Sequence, residues 1–109
     1  MADTLKILGQ VSPAATTVTD LYTVPASRSA TVSSITVCNR AATAATFRIS
    51  VAALGATDAT SQYMFYDQAI DANSTFVATL GITLATTDKI RVYTSTANFS
   101  ITAFGVEVA

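Results

Sequence analysis

This sequence encodes an all-β protein: a single antiparallel β-sandwich, jelly-roll-like, of about eight strands. Three features lead there. Apolar side chains recur at every second position through most of the chain, which places them on one face of a strand. Short breakers made of Pro, Gly, Asn, Asp and Ser separate these runs at fairly even spacing, as in sandwiches and barrels. No segment repeats its apolar residues with a helical period.

The 109 residues make one domain, 1–109, of a size that buries a core without staples. Residues 1–15 are expected to form an extended N-terminal arm or an edge strand. Within it, residues 4–11 put Leu5, Ile7, Gly9 and Val11 on one parity, with Leu8 as an apolar exception on the other. Ser12 and Pro13 break the run. In residues 17–24, Val18, Asp20, Tyr22 and Val24 share a side, and Pro25, with no amide to donate to a ladder, ends the strand. Residues 25–28 form a turn with Pro at its favoured early position.

Residues 29–39 form the longest strand. Ala30 and Val32 share one parity, whereas Ile35 and Val37 share the other, so Ser33-Ser34 is expected to hold a β-bulge or a crossing between sheets. After a connection of small residues, Phe47, Ile49, Val51 and Ala53 alternate with Thr46, Arg48, Ser50 and Ala52 as a half-exposed strand. In residues 61–70, Tyr63 and Phe65 fall on one face, and Met64 and Tyr66 on the other. Large groups on both sides fit either burial of both faces or a contact between subunits. Residues 71–73 are turn chemistry. Residues 74–84 then carry Phe76, Ala78, Leu80, Ile82 and Leu84 as one inward row of a continuous strand. Ile90, Val92 and Thr94 alternate in the next strand. The last carries Phe99, Ile101 and Ala103, then Phe104, Val106 and Val108 on the opposite parity. Gly105 is the expected bulge beside that switch.

Composition narrows the function classes. Only 12% of the residues are charged, about half the usual share. The surface is therefore mostly Thr, Ser and Ala, which suits a protein that packs against copies of itself. A net charge of −1 with six scattered Lys and Arg argues against nucleic acid, whose binding needs several cations on one face, and against a polybasic membrane surface. The opening residues lack a basic-then-apolar signal and no apolar run matches a bilayer, so synthesis and folding in a cytoplasm are expected. The single Cys38 has no partner for an internal disulfide and reads as a small buried hydrophobe.

No histidine is present, which excludes histidine triads, histidine metal sites and histidine acid–base catalysis. Asp67 and Asp71 read as turn residues instead of metal ligands. The four glycines stand alone and make no phosphate loop. Asn73 and Asn98 match glycosylation sequons but read as turn residues. No catalytic, cofactor-binding or metal residue is assigned, no cofactor is expected, and the chain is expected not to be an enzyme. Arg28 and Arg40 flank the long strand, either as solvated turn charges or as partners for a neighbour's carboxylates. The candidate subunit contacts are Leu5, Ile7, Tyr63, Met64, Tyr66, Arg28 and Arg40.

The run from Leu21-Tyr22-Thr23-Val24-Pro25-Ala26 into Val37-Cys38-Asn39-Arg40, followed by Phe47-Arg48-Ile49-Ser50-Val51, resembles small Ala/Thr-rich virion proteins of tailed bacteriophages. Asp88-Lys89-Ile90-Arg91-Val92-Tyr93 and the closing Phe104-Gly105 are similar in style, so the likeness covers most of the chain from Tyr22 onward. The resemblance implies a β-sandwich of the capsid-decoration (cement) or tail-appendage type. It implies a structural role in the virion and homo-oligomers, often trimers, seated on the major capsid protein or on a tail protein. Where such proteins have a long N-terminal arm, this chain has only about its first dozen residues to offer. Two alternatives stand beside decoration: a tail-fibre, baseplate or receptor-binding component, and a small carbohydrate- or ligand-binding β-module. A pocket lined by Tyr22, Tyr63, Tyr66 or Tyr93 would favour the last.

Overall fold

The computed structural model describes residues 3–79 and 81–108. Among them are nine strands: β1 (Asp3–Val11), β2 (Thr19–Thr23), β3 (Ser29–Asn39), β4 (Ala45–Ala52), β5 (Tyr63–Ile70), β6 (Thr75–Ala78), β7 (Ile82–Leu84), β8 (Lys89–Thr94) and β9 (Phe99–Val108). Two short 3-10 turns, Ala53–Gly55 and Thr60–Gln62, lie between β4 and β5.

The strands form two sheets. One runs β1-β9-β3-β6, with β7 also paired to β3; the other runs β2-β8-β4-β5. Every pairing is antiparallel. Because β6 and β7 continue one another along β3, they act as one edge strand, and the sandwich has the eight-strand winding of a jelly roll. Only the β4–β5 and β6–β7 connections stay within a sheet. Such winding buries both inner faces against each other and leaves two outer faces to solvent.

The inner rows are those the alternation predicts for β3 and β8, and for β4 as far as Val51; Ala53, expected to continue that row, is exposed in the 3-10 turn that follows. Val32, Ile35, Val37, Phe47, Ile49, Ile90, Val92, Phe99 and Ile101 are all buried. Phe47, Phe65 and Phe76 pack together, with centroids 5.3–6.1 Å apart. Asn39 is a buried polar clasp between two turns. Its amide donates to the Thr43 and Asp71 carbonyls at 3.0 and 3.1 Å and accepts from the Ala41 N–H. The expected turns form too: the Arg28 N–H bonds the Pro25 carbonyl, and Asn73, in the left-handed region at φ 52°, bonds the Ala41 carbonyl.

Several expectations change where strands bulge. The β3 parity switch is a bulge at Val32/Ser34. The inward row of β9 does not switch: it continues past Gly105 to Glu107, which is 4% exposed. Its neighbours bulge instead, β3 at Ser33 and β1 between Ile7 and Gly9. Phe104 and Val106 therefore stay on the outer parity. Leu5 and Ile7 lie outside and Leu8 inside, the reverse of a strand whose inner row begins at Leu5, and the β1 bulge moves Gly9 and Val11 off the outer row and toward the core. A bulge between Asp20 and Tyr22 places Asp20 outside while Tyr22 and Val24 are buried. In β5, Phe65 pairs with Ile49 but Tyr63 pairs with Ser50, so Tyr63 leaves the face of Phe65. The strand expected over 74–84 is interrupted between β6 and β7, opposite the β3 bulge; Leu80 lies outside the described residues. Cys38 points outward from β3 and is half-buried, not a core residue. Residues 3–11, expected as an arm or edge strand, are the edge strand β1 on β9.

Candidate functional site

The two outer faces differ in chemistry. On the β1-β9-β3-β6/β7 face, register sets Leu5 beside Val106, Thr31 and Thr83 in one row, and Ile7 beside Phe104 and Ser34 in the next. Gln10, Thr102, Thr36 and Val77 make a third row, with Gln10 donating to the Thr102 hydroxyl at 3.3 Å. Leu5 is 85% exposed, Ile7 53%, Val77 55% and Phe104 37%. Leu5, Ile7, Phe104 and Val106, with Lys6, Thr31, Ser33 and Gly105, line a shallow, mainly apolar depression of about 470 Å³. The outward residues of these rows carry no charge; Asp3, opposite Val108, sits at the corner.

The β2-β8-β4-β5 face is charged and aromatic. Arg48 donates to both oxygens of Asp67, at 2.7 and 3.3 Å. Its guanidinium carbon lies 4.1 Å from the Tyr66 ring centroid, 4.2 Å from that of Tyr93 and 6.0 Å from that of Tyr63. Tyr63 and Tyr66 meet edge to face at 5.1 Å. Partial burial raises the Tyr63 phenol above its usual pKa, and the Asp58 carboxylate adds to this. The Asp67 bond, the largest cause, holds the Arg48 guanidinium protonated more firmly than usual. Beside this stack, Asp20 takes hydrogen bonds from Lys89 at 2.9 Å and Arg91 at 3.3 Å. The Lys89 hydrogen bond, foremost, keeps its carboxyl below the usual carboxylate range.

A third group sits at one end of the interior. Glu107 accepts from the Tyr22 hydroxyl at 2.6 Å and from Lys6 Nζ at 3.4 Å, with Arg28 at 4.0 Å. The Tyr22 hydrogen bond, above all, depresses the Glu107 carboxyl below its usual value. Burial pushes the Tyr22 phenol well above its own, reinforced by the hydrogen bond to Glu107.

The sequence-derived contact residues divide among these three places. Leu5 and Ile7 come together on the uncharged face. Tyr63 and Tyr66 gather on the charged face, while Met64, 37% exposed, lies between them in the chain. Arg28 approaches this chain's own Glu107, and Arg40 donates to Ser12 Oγ and the Phe99 carbonyl, tying turns together. Both arginines thus engage groups of the same chain. The tyrosines do not form a pocket: Tyr22 is internal, and Arg48 fills the space between Tyr66 and Tyr93. Sequence reasoning passed over Phe104 and Val106 as an outer patch, although their shared parity beside an inward Phe99-Ile101-Ala103 row was the available signal. Among the described residues no three of His, Cys, Asp or Glu gather. No helix in the structure is long and apolar enough to cross a membrane. No protein-family model, curated protein or solved structure matches this chain.

Proposed function

We propose that this chain is a structural virion protein of a tailed phage, a capsid decoration (cement) protein that bridges and stabilises shell subunits. One observation carries this: an uncharged, largely flat outer sheet face bearing the exposed side chains of Leu5, Ile7 and Phe104. Large exposed apolar groups on a small domain mark contact with another macromolecule. The scaffold behind the face is stiff, being built from β-branched residues on paired strands, so docking orders few additional rotamers. Contacts between neighbouring macromolecules through this face, copies of the chain among them, repeat over many lattice positions and add up to firm attachment. The resemblance to small phage virion proteins points the same way, and with it to a homo-oligomer made in the bacterial cytoplasm and resident in the virion. The ligand-binding alternative draws less support, since among the described residues Tyr22, Tyr63, Tyr66 and Tyr93 do not line a common pocket.

The test is to locate the tagged chain in intact particles by imaging. Copies in the hundreds over the shell are expected, together with earlier heat rupture of particles made without the protein. A handful of copies at one vertex would move the protein to the tail, and absence from particles would end the proposal.

A further inference from the structure

We infer that the outer face of β1-β9-β3-β6/β7 is where a second copy of this chain docks, sheet against sheet. The inference deepens the assembly reading above, on which it rests, by naming the partner of that face. Its basis is the segregation of charge between the two sheets. Asp20, Arg48, Asp67, Lys89 and Arg91 all lie on the other outer face. Lys6 in β1 contributes to the lining of the depression, but its ammonium turns away from the outer rows to Glu107, 3.4 Å away.

The absence of charge discriminates between occupants. A different protein would be selected and steered by complementary charge, and a face of neutral side chains forgoes that means. A copy of the same face is subject to the opposite condition. In a self-complementary contact, a charge near the symmetry axis meets its own image and repels it. A face whose only charges are Asp3, at its corner, and Lys6, paired with Glu107 on the same chain, escapes most of this cost. Thr and Ser hydroxyls, which both donate and accept, can pair with their own kind across such a contact.

Area points the same way. Four strands about 4.8 Å apart and about ten residues long cover roughly 600 Å² in plan. Two such faces bury about 1,200 Å², the lower bound for a stable specific interface. The depression around Leu5 and Phe104 alone falls well short of that. The whole face must engage, including Val77 on its far flank.

Sedimentation of the purified chain over a range of concentrations tests this, with circular dichroism and melting temperature as checks on folding. Leu5 and Val77 are exposed, so Leu5→Lys and Val77→Lys are expected to leave the fold and melting temperature unchanged. Each is expected to weaken self-association tenfold or more. Leu54→Lys, at an exposed turn outside this face, is expected to leave association as it is. A wild-type chain that stays monomeric overturns the inference, as does association that survives either face substitution. A monomer whose incorporation into particles is abolished by Leu5→Lys would assign the face to a shell protein instead, overturning the second copy while leaving the virion role intact. Conversely, a face-dependent oligomer absent from particles would sustain this inference and sink the virion role.

Discussion

Glu107 is the only charged residue buried among the described residues, and its neighbours explain why it persists. A carboxylate 4% exposed would be strongly destabilising without partners. Tyr22, Lys6 and Arg28 supply them from β2, β1 and the turn before β3. The Glu107 carboxyl is depressed below its usual 4.5 in the folded chain. Its contribution is therefore present above that value and lost as the pH falls through the lower folded one. The Tyr22 phenol is raised above its usual 10.0, so its contribution holds below that value and is lost as the phenol ionises in strong alkali. Tyr22→Phe should cost about 1–3 kcal/mol at neutral pH by leaving a buried carboxylate short of a donor. That cost should shrink in acid, where Glu107 is protonated in both variants. Urea unfolding at neutral and acid pH measures both, and an equal cost at the two would contradict this account.

At the scale of the elements, the bulges decide what the strands display. Gly105 sits on β9 where β1 and β3 both bulge, and a Cβ there would overlap the Thr31 carbonyl oxygen and press on Val32 Cα. Those obstacles are backbone and cannot turn aside. Gly105→Ala should therefore destabilise by about 1–3 kcal/mol. Gly81, with open space around its missing Cβ, makes the comparison: Gly81→Ala should stay within about 0.5 kcal/mol of wild type. Denaturation midpoints for the pair decide it, and equal effects would mean that close approach at β9 does not govern this region. The same bulges explain which parts of the sequence were readable. The β3 bulge was legible because Val32 and Ile35 are large and break step within the strand. The β1 bulge was not, because Leu5, Ile7 and Leu8 are equally apolar and neither parity stands out. Tyr63 was misplaced for a related reason, since alternation cannot register a step that the pairing with Ser50 creates.

For the whole molecule, the winding joins the beginning of the chain to its end. β1 pairs with β9, β2 with β8, and β3 with β9, so most of the sheet forms only after large loops close. Refolding should accordingly take milliseconds to seconds, not microseconds. Stopped-flow dilution from denaturant measures it, and a submillisecond phase carrying the full amplitude would contradict the topology. The winding also assembles the uncharged face, by bringing Leu5 and Ile7 from the first strand against Phe104 and Val106 from the last. No local stretch of sequence contains that surface. Its members lie almost the full chain length apart, and only their antiparallel register makes them neighbours.

The all-β class, the breaker turns, and the core rows of β3 and β8, with that of β4 as far as Val51, were legible in the chain itself. These follow from a period of two, a property of the extended backbone that each strand carries by itself. Which apolar side chains face out, and which charges gather together, follows from the folded arrangement of the strands. Inward and outward depend on register with distant strands, and one inserted residue reverses both faces. Ile7 and Val11 lie four residues apart, so strict alternation gives them one face; the bulge between Ile7 and Gly9 leaves Ile7 on the surface and packs Val11 against the core.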